Sequence, residues 1–102
     1  MDDTLKLIVL DWIPSQSKVI DFGCGDGALL KILSEQKSII GYGVENDPDK
    51  INACIINGVS VIQQDIDAGI HNYKGMGFDV AVMASYIQCL RKTCLVINHM
   101  NI

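Results

Sequence analysis

The sequence is short of positive charge. Eight lysines and arginines stand against twelve acidic residues in 102 positions, a formal net charge of −4, and the basic side chains are scattered, so the chain offers no electrostatic footprint for nucleic-acid phosphates. No apolar run nears the roughly 20 residues needed to cross a bilayer. The opening Met1-Asp2-Asp3 lacks the positive start and cleavage site of a secretory leader. These absences predict a cytoplasmic chain with neither a nucleic acid nor a membrane as partner. The four cysteines, Cys24, Cys54, Cys89 and Cys94, form no C-x-x-C pair and have no histidine at zinc spacing, so reduced thiols and no metal site are expected. Internal repeats, low-complexity tracts and interdomain linkers are missing too, and residues 1–102 read as one small domain.

What remains is the balance of an ordinary packed globule, 49% apolar and 20% charged. Asp2 or Asp3 can cap a helix whose apolar positions Leu5, Ile8, Val9, Trp12 and Ile13 recur at helical spacing until Pro14. A short apolar strand over 18–22 then runs into glycines, and a helix follows from Ala28. The pattern recurs: a second strand over 39–45, a helix opened by Asp47-Pro48 and closed by Gly58, a third strand over 59–63 and a fourth over 78–83. Near-continuous apolar strands alternating with helices predict an α/β, Rossmann-like parallel sheet, four strands in the order 3-2-1-4 with helices covering both faces. Loosely helical spacing over 85–102 predicts one last helix, which leaves the fourth strand as an exposed edge open to self-association.

The chemistry concentrates at VIDFGCGDG, residues 19–27. Glycines at alternate positions let the backbone bend sharply and approach a ligand where a Cβ would collide, and the following helix points free N–H groups at the same place. Gly23, Gly25 and Ala28 also satisfy the dinucleotide pattern G-x-G-x-x-G/A, with Glu45 about 20 residues on, so an NAD-binding module is a rival reading. Charge separates the two. Asp21 at the mouth of the turn would cost a phosphate about 3 kcal/mol at ~6 Å and an effective dielectric near 20, and would attract an ammonium by a similar amount. That favours S-adenosylmethionine, with its sulfonium and α-ammonium, and Asp26 acts the same way if it points inward. Cys24 inside the turn reads as the small side chain that a tight bend tolerates, with a reactive thiol as the alternative.

Two further acidic positions fall at strand ends. Glu45 can accept from both ribose hydroxyls, and a carboxylate in Gln64-Asp65-Ile66-Asp67 can take the adenine amino group while an apolar neighbour packs the ring. Each by itself is equally well a solvated loop residue or a helix cap. His71 and His99 have no nameable partner and Tyr86 can equally pack on the last helix, so no catalytic residue is assigned.

At these residues the sequence resembles class I methyltransferases, and more narrowly the MetW family of methionine-biosynthesis proteins. The resemblance runs through VIDFGCGDGALL (19–30), GYGVENDP (41–48), GVSVIQQDID (58–67) and FDVAVMASYIQCLRK (78–92). It implies that Asp21, Gly23, Cys24, Gly25 and Gly27 form the amino-acid end of an S-adenosylmethionine pocket. It further implies that Glu45 holds the ribose, that Asp65 with Ile66 holds the adenine, and that Ala84 lies near the methyl-donating end. Family members usually carry polar residues where Ala84-Ser85-Tyr86 stand and a proline and an acidic residue where Thr93-Cys94 stand. They also continue through further strands and helices, so the resemblance implies a C-terminally truncated domain. It implies a partner as well, the homoserine O-acyltransferase MetX, with this chain as methyltransferase or cofactor sensor. The competing expectation is a non-catalytic remnant that acts through strand pairing.

Overall fold

The computed structural model describes residues 3–65, 73, 75–83 and 96–98. Helix α1 (Asp3–Trp12) leads into strand β1 (Lys18–Phe22), helix α2 (Ala28–Lys37), strand β2 (Ile40–Glu45), helix α3 (Pro48–Ile56) and strand β3 (Ser60–Gln63). Strands β4 (Val80–Val82) and β5 (Val96–Asn98) complete the sheet, whose spatial order is β3-β2-β1-β4-β5. The first four strands are parallel in the expected order 3-2-1-4.

Local chemistry sets the element ends. Asp47 caps α3, its side chain accepting the Asp49 N–H at 2.9 Å, with Pro48 in the first turn where the missing N–H costs nothing. Gly58, at φ 74°, turns the chain away from that helix. Val9 of α1 and Ile13 just beyond its end are fully buried and Leu10 packs beside them, while Trp12, expected on the inward stripe, is 52% exposed.

The handedness rule fixes which face each connection covers. The path β1-α2-β2-α3-β3 steps outward in one direction, so right-handed crossovers put α2 and α3 on one face. Val9, Leu29, Leu30, Leu33 and Cys54 from the three helices, with Ile13 just past α1, accordingly share one cluster with Val19, Val80 and Val82. To reach β4 the chain returns to the other side of β1, and Tyr73 and Phe78 cover the opposite face against Ile20, Phe22, Val44 and Ala81. Tyr73 packs edge-on against Phe22 and Phe78. Among the described residues the second face is covered by aromatic side chains of the returning segment.

The expectation of a single helix over 85–102 does not hold at 96–98. Val96–Asn98 runs antiparallel to β4, with Ala81 opposite Ile97. The β-branched pair Val96-Ile97 suits a strand, and pairing satisfies the N–H and C=O groups that β4 would otherwise leave open. The β4 edge expected to be open to self-association is therefore already occupied by β5.

Candidate functional site

Parallel strands deliver their last residues to one edge of the sheet, and the chain reverses its winding direction between β1 and β4, the place where open α/β sheets bind ligands. The glycine turn leaves β1 at that point. Gly23 and Cys24 donate their N–H groups to Val44 O at 2.8 and 3.2 Å, which fastens the turn to β2. Gly23, Gly25 and Gly27 take φ values of 75°, 60° and 80°, a region that L side chains avoid. At Gly27 packing adds a second reason, since a Cβ would sit 2.9 Å from Val59 Cγ2. At Gly25 a Cβ would meet no described atom within 4 Å, so this part of the turn presents bare backbone to open space.

Asp21 belongs to β1 and is 1% exposed. Its Oδ1 is a buried oxygen with no hydrogen-bond partner among the described residues. Burial pushes its pKa up to about 8, and the neighbouring Glu45 charge adds to the rise. Glu45 ends β2, 8% exposed. Its Oε1 accepts the Gly25 N–H at 2.9 Å, and Oε2 accepts the N–H groups of Asn46 and Asp47, each at 3.0 Å. One lone pair of Oε1 remains for a further donor.

Asp26 does not meet the condition on which it was expected to add to the charge of Asp21, that it point inward. It is exposed, and its Oδ1 takes the Ala28 N–H at 3.0 Å at the start of α2 while its backbone O accepts from Asn57 Nδ2 at 2.9 Å. An Asp preceding a helix finds the first free N–H groups more readily than a distant ligand. Asp65 follows β3 at the same sheet edge and is exposed, and Gln64 before it donates its N–H to Glu45 O at 3.1 Å. Ile66 and Ala84 lie outside the described residues, as do His71, His99 and Tyr86. The structure thus brings Asp21, Cys24 and the three glycines together with Glu45, and sets Asp65 on the next strand end.

Two features had no sequence signal strong enough to find them. Tyr73 donates its hydroxyl to Gln64 Oε1, tying the returning segment to the end of β3. Cys24 and Cys54, 30 residues apart, hold their sulfurs 3.6 Å from one another. A groove of about 450 Å³ beside α2, lined by residues such as Lys31, Glu35, Gly41 and Ser60, includes none of the expected site residues. Among the described residues no group of three or more His, Cys, Asp or Glu side chains could hold a metal ion, and no helix is long and apolar enough to cross a membrane.

Comparison with known proteins agrees with this architecture. The chain is 27% identical over 100 residues to the bifunctional methionine biosynthesis protein MetXA/MetW of Rhodopirellula baltica, covering 90% of this chain and 16% of that protein. It therefore spans about a sixth of that relative's length. Among solved structures it is similar to an S-adenosylmethionine-dependent methyltransferase from Thiobacillus denitrificans crystallised with S-adenosylhomocysteine (TM-score 0.59, 22% identity, 85% of this chain and 38% of that one). It is also similar to an RNA methyltransferase from Salinibacter ruber crystallised with the same molecule (TM-score 0.57, 21% identity, 89% and 65%). At these identities the likeness establishes a Rossmann-like methyltransferase fold. The family described as methionine biosynthesis protein MetW matches residues 3–101, and the chain belongs to that family.

Proposed function

We propose that this chain binds S-adenosylmethionine at the glycine-turn edge of the sheet. The observation that carries the reading is Asp21, a buried carboxyl whose Oδ1 lacks a partner among the described residues, set in the strand that feeds the turn. A carboxylate left this way is costly unless something polar answers it, and an α-ammonium answers both its charge and its acceptor capacity. A pyrophosphate would oppose it, which disfavours NAD at the same turn. The donor set therefore fits the cofactor.

In this reading Asp21 draws the cationic end, and the bare backbone of Gly23, Cys24, Gly25 and Gly27 lets the amino-acid portion come close. Glu45 keeps the turn in place through Gly25 and offers its remaining lone pair to a ribose hydroxyl. Asp65 and Ile66 hold the adenine, and Ala84 stands near the methyl. Bound S-adenosylmethionine supplies a methyl already activated on its sulfonium, so a transferase needs alignment more than acid–base help. Whether the chain transfers that methyl or senses the cofactor is decided by the appearance of labelled methyl on an acceptor. The fusion of MetXA and MetW in the Rhodopirellula relative supports an accessory role beside a MetX-type partner, which co-purification of the two chains tests.

Thermal shift with S-adenosylmethionine, S-adenosylhomocysteine and NAD in parallel tests the cofactor directly. Ligand at about a hundredfold its Kd should add about 2.7 kcal/mol of stability. A shift with NAD and none with either adenosyl compound would overturn the reading.

A further inference from the structure

Cys24 and Cys54 are both buried, at 4% and 0% exposure, and their sulfurs lie 3.6 Å apart. Two glycines and the Gly25 carbonyl frame the pair. A Cβ on Gly43 would sit 2.4 Å from Cys24 Sγ and one on Gly27 would sit 3.2 Å from Cys54 Sγ, so glycines on two sides make the space the sulfurs fill. The Cys54 thiol donates to Gly25 O at 3.0 Å. The same peptide chain that gives its Gly25 N–H to Glu45 thus leans its carbonyl on Cys54.

From this arrangement we propose that Cys24 and Cys54 are a redox modification site, forming an intramolecular disulfide under peroxide that ties the glycine turn to α3 and weakens cofactor binding. The second half of the proposal rests on the cofactor reading above; the first half does not. One thiol loses its proton, its sulfur bonds to a peroxide oxygen and the O–O bond breaks, leaving a sulfenic acid and releasing water once the hydroxide is protonated. The second sulfur then attacks the first, the S–O bond breaks and a second water leaves. Two thiols are oxidised by two electrons and one peroxide is reduced to two waters.

The consequence for the turn is geometric. An S–S bond of about 2.05 Å requires an approach of about 1.5 Å from the present separation, in an interior that transmits small shifts. It also removes the S–H donor from Gly25 O and pulls Cys24, hence the neighbouring Gly25 N–H, away from its place on Glu45. Burial raises the pKa of both thiols; Cys54 and then Asp21 push Cys24 further up, whereas for Cys54 the hydrogen bond with Cys24 works against the rise and the charges of Asp26, Glu45 and Asp21 work with it. Oxidation is therefore slow at neutral pH and faster in alkali.

The test treats the whole chain with hydrogen peroxide, blocks the remaining free thiols by alkylation and maps tryptic peptides without reductant. The expected product joins peptide 19–31, which holds Cys24, to peptide 51–74, which holds Cys54. Its mass is about 2 Da below the sum of the two, and dithiothreitol reverses it. Calorimetry then reads S-adenosylmethionine affinity about tenfold weaker in the oxidised chain, and a Cys54→Ala chain gives no reductant-reversible loss of affinity and no linkage of peptide 19–31 to peptide 51–74. Linkage confined to the Cys89 or Cys94 peptides, or sulfinic acid without linkage, overturns the disulfide. A Cys24–Cys54 link with unchanged affinity overturns the coupling. If the reduced chain fails to bind S-adenosylmethionine, it is the cofactor reading that fails, and the peptide map alone judges the disulfide.

Discussion

Gly25 N donates to Glu45 Oε1 at 2.9 Å, so the acidic end of β2 holds up the turn that follows β1. The residue expected to hold the ribose thereby also shapes the opposite side of the same site. The two roles respond differently to substitution.

Glu45→Ala strips three backbone N–H groups, those of Gly25, Asn46 and Asp47, of their acceptor. A loss of about 1–3 kcal/mol in urea-unfolding stability is expected, together with loss of cofactor binding. Glu45→Gln keeps one acceptor oxygen but turns an amide toward N–H donors, so its stability should fall between the two while binding stays lost. An alanine variant as stable as the parent would show that the turn holds its shape without Glu45.

Asp21 makes stability depend on pH. Its folded pKa is raised from 3.8 to about 8 by burial and then by Glu45, so the folded state holds a proton that the unfolded chain gives up. Stability from this group is complete below about pH 4 and is lost as pH rises toward about 8. Asp21→Asn should flatten that limb and melt higher than the parent at pH 9. Affinity for a cationic ligand should rise with pH across the same interval in the parent, because ligand and protein prefer the ionised carboxyl together. A pH-independent affinity would show that Asp21 does not face the cation.

Gly25 and Gly27 separate folding from binding. Gly27→Ala meets both a left-handed backbone and Val59 Cγ2 at 2.9 Å, so it should lower stability by about 2–4 kcal/mol. Gly25→Ala meets only the backbone penalty of about 1–2 kcal/mol, its Cβ entering space free of described atoms. It should still fold, and should lose cofactor affinity because the methyl occupies the ligand's approach. Chemical denaturation and calorimetry on both variants check the contrast.

Much of the fold around this turn is legible in the sequence. The strand-turn-helix at residues 18–37 announces itself through an apolar run broken by alternate glycines, and Asp47-Pro48 marks a helix start by capping chemistry alone. Both are local signals. What escaped depends on pairing across the fold. Val96–Asn98 is too short to declare a period and becomes a strand because β4 needs a partner. Whether Asp26 points inward is settled by the Ala28 N–H that its carboxylate accepts, which no spacing reports. The meeting of Cys24 and Cys54 requires α3 to lie over the turn, and Gly43 owes its identity to the sulfur beneath it, neither of which spacing can report.

On the proposed reading a buried carboxyl at Asp21 receives the positive end of an adenosyl ligand. Isothermal titration of S-adenosylmethionine into the parent chain and into Asp21→Asn, above pH 8 and with both chains shown to be folded, tests it most directly. Saturable binding by the parent and an affinity lower by at least about tenfold in the variant are expected. Equal affinity in the two chains would contradict it.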